Sequence, residues 1–575
     1  MNKKAIGKTM WAAIIVVIIV IAGIGLYFLN PFNPPTSVKN QGIFIAAQGD
    51  DPVWFDPAHS HLMHEKMYMP NVYESLLFYD PQDPTILVPL LATTVPTVEN
   101  GLISADGLQY TFPIREGVKF HNGEELTGYD IEYSIERVCT MQLPDSESWM
   151  LIDPLTGWST DPEVIDNAVE VINDYRVRFN LLTPDAPFLY RLVSAFGGMI
   201  LNKNWVIENG GWDPTGDMNW THKSDPWVEK NMMGTGAYKL TKWVPGERLD
   251  FEAFEDYWQG PPKLKEVIVL TVRELSTRLM MLKAGDVDSC AVSMDQLDAI
   301  KALEPDGVLS EAPPSYDMSQ FSLNFEINVD LQPAETYGIT EDWFHDIHLR
   351  RAFSYTMDRE KLNQAFYNGS ARGANSYLPK GILGWDVDVP GYQYDLEKAE
   401  EEFRKAWGGE VWENGFRFTI WCVDDETGVA AQIFKEGIEA VNTKFHIDVT
   451  VPPYAVWLAK MGDRSMAIFA SWWPSFILDP YLQTHFQVVS TGMGASIWQY
   501  KNQTIDDLAA QAIQTIDPTV RAELYSQIQW LEYYDASSVH TVQMTHLFAY
   551  RSWLKGWHYS PGLLGGLYWY WLDKG

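Results

Sequence analysis

Tyr110-Thr-Phe-Pro-Ile-Arg-Glu-Gly-Val-Lys-Phe-His-Asn-Gly-Glu-Glu-Leu-Thr-Gly-Tyr-Asp-Ile-Glu-Tyr-Ser-Ile-Glu-Arg137 reads as a strand, a tight turn and a capped helix. Tyr110, Phe112 and Ile114 alternate with smaller or polar residues, as a half-buried strand requires. Asn122-Gly123 follows the apolar Val118 and Phe120 and tolerates the positive φ of a hairpin. Thr127 and Asp130 have the spacing of a reciprocal helix cap, and Ile131, Ile135 and Val138 supply an apolar stripe at helical spacing.

Other blocks lie in order on either side of this run. They are Val72-Tyr-Glu-Ser-Leu76 with Pro89-Leu-Leu-Ala92, Gly234-Thr-Gly-Ala-Tyr-Lys-Leu240, Tyr257-Trp258, Leu282-Lys-Ala-Gly-Asp-Val-Asp288, and the stretch from His345 to Lys361. Together they resemble the family 5 extracellular solute-binding proteins, receptors of ABC importers for peptides, nickel chelates and some oligosaccharides. The resemblance covers the chain beyond about residue 40. It implies an α/β (α+β) periplasmic-binding-protein-like fold: two lobes around a cleft, with a third lobe inserted.

The first 30 residues differ in kind from the rest. Lys3, Lys4 and Lys8 precede Met10 to Leu29, an uncharged stretch that at about 1.5 Å per residue can cross a hydrocarbon layer of about 30 Å. Positive charge ahead of the span keeps that end inside, so the chain is expected to be held at the cell surface by residues 1–30. Those leading residues resemble archaeal pilin-type signals, in which the apolar segment stays on the protein after cleavage; an ordinary signal peptide, removed with its apolar segment, is the alternative. A Pro-rich linker covers 31–41, and the family template then divides the chain. The first lobe takes 42–77, 199–312 and 541–575, the inserted lobe 78–198, and the other main lobe 313–540. Strand-like runs at 43–47, 176–181, 249–253, 267–272 and 416–423 alternate with helical stretches, as layered α/β folds require.

A net charge of -34 excludes nucleic acid as a partner, because a phosphate backbone needs a basic face. Cys139, Cys290 and Cys422 are too few and too far apart for a disulfide framework or a zinc knuckle. A nucleophile elbow, a His-Glu-x-x-His motif and a phosphate-binding Gly-x-x-x-x-Gly-Lys-Ser/Thr loop are all missing from the sequence. No catalytic residue and no cofactor are therefore expected. The energy for transport must come from another subunit, and the resemblance implies ABC permease subunits as partners and a monomeric receptor.

Candidate ligand residues come from two sources. His61, His64 and Glu65 could share one face of a helix and offer nitrogen and oxygen to a metal, although histidines at a cleft edge more often donate hydrogen bonds. The resemblance places Glu65 and Met67 on a segment whose backbone pairs with an extended ligand, and Trp457 and Arg464 on the cleft wall. In peptide receptors of this family, a Trp followed three residues later by an Asp precedes an acidic-Pro pair, and that Asp takes the ligand's amino terminus. Here Asp479-Pro480 sets the register, Trp473 occupies the Trp position and Phe476 the Asp position.

A buried ammonium needs an anion that Phe476 cannot provide. Either Glu65 or Asp479 substitutes, or the ligand lacks a free amine. With 24 Trp, 28 Tyr and 26 Phe in the chain, Trp472 and Trp473 could stack on sugar rings. Peptide and oligosaccharide thus both remain open as ligands, and a membrane-anchored carbohydrate-active enzyme is the rival from another class.

Overall fold

The computed structural model describes residues 38–61, 63–144, 146–193, 197–216, 220–561 and 567–574. The expected membrane segment, 1–30, lies outside the described residues, and among those described no helix is long and apolar enough to cross a membrane.

The strands of the amino-terminal half are β1 (Ile43–Gln48), β2 (Leu77–Tyr79), β3 (Leu87–Pro89), β4 (Gln109–Pro113), β5 (Val169–Asn173), β6 (Arg176–Asn180), β7 (Tyr238–Val244), β8 (Arg248–Ala253) and β9 (Glu266–Thr271). They continue with β10 (Ser289–Cys290), β11 (Val308–Glu311), β12 (Pro314–Leu323), β13 (Arg372–Gly373), β14 (Phe416–Cys422), β15 (Phe445–Thr450), β16 (Ile468–Trp473), β17 (Ser538–Thr545) and β18 (Phe548–Arg551). The helices that matter below are α1 (Gly128–Met141), α2 (Ile347–Tyr355), α3 (Arg359–Tyr367), α4 (Asp425–Val441), α5 (Tyr454–Gly462), α6 (Pro480–Gln487) and α7 (Pro518–Asp535).

Two mixed sheets form the two main lobes. One has the order β11-β18-β10-β1-β9-β8-β7, the other β13-β17-β12-β16-β14-β15. β1 runs parallel to β9 and β10, and β14 runs parallel to β15 and β16. Parallel strands covered on both faces need near-continuous apolar character, and Phe416, Phe418, Thr419, Ile420 and Cys422 of β14 are all buried. A smaller antiparallel sheet, β4-β6-β5, is built from residues 109–180, within the stretch expected to form the inserted lobe.

The run from Tyr110 to Arg137 folds as its pattern requires. Its strand is β4, paired with β6, and Thr127 caps α1 with Asp130 Oδ2 accepting from Thr127 N at 3.0 Å. Asn122-Gly123 makes a turn in which Gly123 has φ 92°, but its arms form an isolated bridge between Lys119 and Glu125, not a ladder.

Several of the sequence blocks meet at one buried acid, Glu74. It accepts from Thr235 Oγ1 at 2.7 Å, Tyr257 Oη at 2.8 Å and Trp258 Nε1 at 3.1 Å. The Arg115 guanidinium lies 4.6 Å from the Trp258 ring centroid. Burial raises the Glu74 carboxyl to about 7 against the lowering effect of these donors. Gly234 is glycine because a Cβ there would stand 2.0 Å from the carbonyl oxygen of Val72. These blocks build scaffold.

The chain passes between the two sheets twice, side by side. β11 ends at Glu311 and β12 begins at Pro314, while β17 ends at Thr545 and β18 begins at Phe548. Pro314 pairs with Thr545 and Glu311 with Phe548, so the connectors 312–313 and 546–547 flank each other. The boundary expected after residue 540 falls inside β17, whose pairing with β12 carries through to Thr545. That strand, Ser-Val-His-Thr-Val-Gln-Met-Thr, is polar in sequence yet buried throughout. Its Thr541 and Gln543 side chains each donate to β12 carbonyls at 2.7 Å.

Lys574 clasps the described amino-terminal segment. Its ammonium, buried, donates to the carbonyls of Lys39, Asn40 and Ile43 at 2.8, 3.2 and 2.7 Å and pairs with Asp288 at 2.9 Å. A chain beginning at Gly42 loses two of these acceptors. It is expected to be about 2 kcal/mol less stable in urea titration than one beginning at Val38, the cost of stripping hydrogen bonds from a charged donor. Equal midpoints would show the clasp to be idle.

Candidate functional site

A cavity of about 400 Å³ opens where the chain crosses between the sheets. Gln48, Met67, the stretch 289–294, the stretch 548–550, Trp557 and Leu567 line it from one lobe. Phe366, Tyr367, Glu426, Met544 and Thr545 line it from the other, and His546 and Leu547 of the connector complete the wall. Its size falls in the range of small-ligand sites. A wider hollow of about 650 Å³, between 384–387 and 519–527, is confined to one lobe.

The second sheet explains why a site should lie on this side. β14 leads through α4 to β15, and β15 leads through α5 to β16 on the opposite flank of β14. Connections diverge at that point, leaving a crevice beyond the carboxyl ends of β14 and β16. Asp424 to Glu426 follow β14 there, and Pro474 to Phe476 follow β16. Asp424 caps α4, its Oδ1 accepting from Thr427 N at 2.9 Å and its Oδ2 from Trp472 Nε1 at 2.9 Å.

Glu426, in the first turn of α4, is 6 % exposed. Its Oε1 accepts from Tyr367 Oη at 2.8 Å and Ser319 Oγ at 3.4 Å, and its Oε2 is buried with no hydrogen-bond partner among the described residues. Burial first, then the Asp424 charge, pushes its carboxyl up to about 8 against the two hydroxyl donors. On the connector, His546 Nε2 lies 2.7 Å from Asp317 Oδ2, and Asp317 Oδ1 accepts from Ser475 N at 2.8 Å.

The residues named from the sequence separate in space. Met67 lines the cavity. Glu65 is buried and accepts from the backbone N–H groups of Val53, Trp54 and His61 at 3.3, 3.4 and 3.2 Å, which holds the loop before it. The segment Met63–Tyr68 is helical, and a helical turn offers no strand edge to an extended ligand. His61 Nδ1 lies 3.5 Å from the carbonyl of His59, while the side chain of His64 lies outside the described residues. Among the described residues no group of three or more His, Cys, Asp or Glu could hold a metal ion. Cys139, Cys290 and Cys422 are buried and free.

Trp457, only 5 % exposed, packs edge-on to Phe469 and beneath the exposed ring of Tyr454. Arg464 has φ 58° and turns its side chain outward to Glu326 at 2.8 Å. It is not among the residues that line the cavity. Trp473 sits against Trp498 and Phe486. Phe476 belongs to an apolar cluster with Met150, Leu482 and Phe486, against which Trp149 and Tyr190 pack, so the position that the resemblance matches to the family's acid is an apolar contact.

Asp479 caps α6 and forms a bidentate pair with Arg521, both contacts 2.9 Å and both side chains buried, which makes it a poor substitute anion for a ligand. Glu426 was not legible as a site residue, because Asp424-Asp425-Glu426 has the look of any acidic helix start.

Residues 87–495 match the model of the bacterial extracellular solute-binding proteins, family 5 Middle. The dipeptide-binding protein of Escherichia coli is 24% identical over 519 residues, spanning 86% of this chain and 90% of that protein. The solved structure of HbpA2 from Haemophilus parasuis superposes with a TM-score of 0.74 at 19% identity, covering 93% of this chain and 100% of its own. The periplasmic binding protein DppA from Helicobacter pylori, in complex with the peptide STSA, gives a TM-score of 0.71 at 22% identity, covering 93% and 98%. With the two-sheet architecture and its crossover cavity, the match over most of its length makes this chain a member of the family 5 extracellular solute-binding proteins.

Proposed function

We propose that the chain is an extracytoplasmic receptor that captures a short peptide between its lobes and delivers it to an ABC permease. The observation that carries this reading is the cavity at the double crossover, walled by both lobes and by the connector itself. A ligand held there touches both halves at the point about which they turn, so binding favours the closed form. Relatives named for dipeptide and peptide ligands support the choice of solute. The oligosaccharide reading is weaker, because the Trp472 indole is tied to Asp424 and the Trp473 ring packs on Trp498 and Phe486.

On this reading the first lobe comprises 42–77, 199–312 and the chain after the second connector. The inserted lobe spans 78–198 and the other main lobe 313–545. Residues 1–30 hold the receptor at the membrane surface, it works as a monomer, and it carries out no reaction.

The test is the ligand that accompanies the purified protein. Denaturing extraction followed by mass spectrometry is expected to release peptides of a few residues. Recovery of a uniform sugar or a metal chelate instead would overturn the peptide reading and leave the receptor fold untouched.

A further inference from the structure

The cavity wall is apolar for the most part, with Met67, Met294, Phe366, Met544 and Trp557 on it, and it includes one buried carboxyl group, Glu426. No Lys, Arg or His among the described residues forms an ion pair with that group, unlike the buried Asp56, Asp185, Asp288 and Asp479; the buried Glu74 and Glu136 share that lack, but of the three only Glu426 lines the cavity. An unpaired carboxylate in such surroundings is costly, and proteins normally supply its partner. Here one oxygen is held by Tyr367 and Ser319, and the other has no partner among the described residues.

We propose that Glu426 is the anionic subsite of this cavity and that the bound peptide brings it a cationic nitrogen, an ammonium or a guanidinium. The inference rests on the peptide-receptor reading and names what that reading lacks, since Phe476 fills the position of the family's ammonium-binding acid and Asp479 is held by Arg521. The site lies at the crevice beyond the end of β14, within reach of a ligand clasped between the lobes.

With its carboxyl at about 8, Glu426 is mostly protonated at neutral pH when no cation stands beside it. A cation placed beside it favours the ionised form, so binding releases a proton and tightens as pH rises towards 8. Between pH 6 and 7 the expected gain is about ninefold for a ligand that requires the ionised form. The groups facing Glu426 include Asp424 on its own helix, Tyr367 on α3, and Ser319 on β12. Asp317, also on β12, acts on Tyr367, and His546 on the connector is bonded to Asp317 and lines the same cavity. The diagnostic quantity is therefore the part of the pH slope that disappears in Glu426→Gln.

Calorimetry on the full-length chain with trialanine, N-acetyl-trialanine and N-acetyl-Ala-Lys-Ala tests the proposal. At least one of the two cation-bearing peptides is expected to bind tenfold or more tightly than N-acetyl-trialanine. Glu426→Gln should abolish both that preference and the ninefold slope. Glu426→Asp, which keeps the charge but retracts it, should fall between, and it serves as the second variant if the glutamine form melts early. Preference for trialanine assigns the cation to the peptide's amino terminus, and preference for the lysine peptide assigns it to a side chain. Peptides that bind regardless of charge, or a preference that survives in Glu426→Gln, overturn the inference and leave the receptor reading standing. If none of the three binds, both fall together.

Discussion

Replacing Arg137 with methionine is expected to cost the fold about 3 to 5 kcal/mol, the usual penalty for leaving a buried charge without its partner. Arg137 closes the run that decides the fold, and neither it nor Asp56 has any exposed side-chain surface. Its Nη1 and Nη2 donate to the two Asp56 oxygens at 2.7 and 2.6 Å, and Nη2 lies 3.4 Å from Asp225. The arginine thereby joins α1 to the two loops that carry Asp56 and Asp225. Burial already raises the Asp225 carboxyl while Arg137 holds it down, so the methionine variant strands two acids in a dry site. Thermal melting should fall by roughly 6 to 20 °C for a lobe of this size. A loss under about 1 kcal/mol would mean that water or a rearranged partner replaces the guanidinium.

Asp479→Asn is expected to destabilise the second main lobe by about 3 kcal/mol while leaving peptide affinity per folded molecule within about twofold. The mutation breaks the bidentate pair with Arg521, whose guanidinium is buried and also donates to the Ala512 carbonyl at 3.0 Å. Urea titration reads the first effect and calorimetry on the folded fraction reads the second. The opposite pattern, affinity lost more than tenfold with stability intact, would make Asp479 the ligand's anion and displace Glu426 from that role.

What was legible in the sequence is what depends on neighbours along the chain. The strand runs at 43–47, 176–181, 249–253, 267–272 and 416–423 became β1, β6, β8, β9 and β14 to within a residue or so. Thr127 and Asp130 form the reciprocal cap of α1 that their spacing requires, Asp130 accepting from Thr127 N. Burial of charge was not legible. Glu426 differs from its exposed neighbours because Tyr367 and Ser319, 59 and 107 residues away, close over it. Arg464 keeps the expected distance from Trp457, yet one residue at positive φ swings it outward to Glu326. β17 concealed the second connector because its polar side chains, bonded across the sheet, look like a surface strand.

The Lys574 clasp has a mechanical consequence. Residues 39–43 and Lys574 are fastened together at the start of β1, whereas the connectors lie towards the far end of that strand, where Ala47 pairs with Cys290 and Cys290 with Ala549. A pull applied between Val38 and Lys574 therefore strains the clasp and leaves the pivot slack. A tether fixed near residue 38 carries the first lobe as a stationary base while the other lobe swings. In a single-molecule experiment, dyes at those two places would register nothing on ligand capture; a dye on α5 paired with one near Val38 would register the whole stroke.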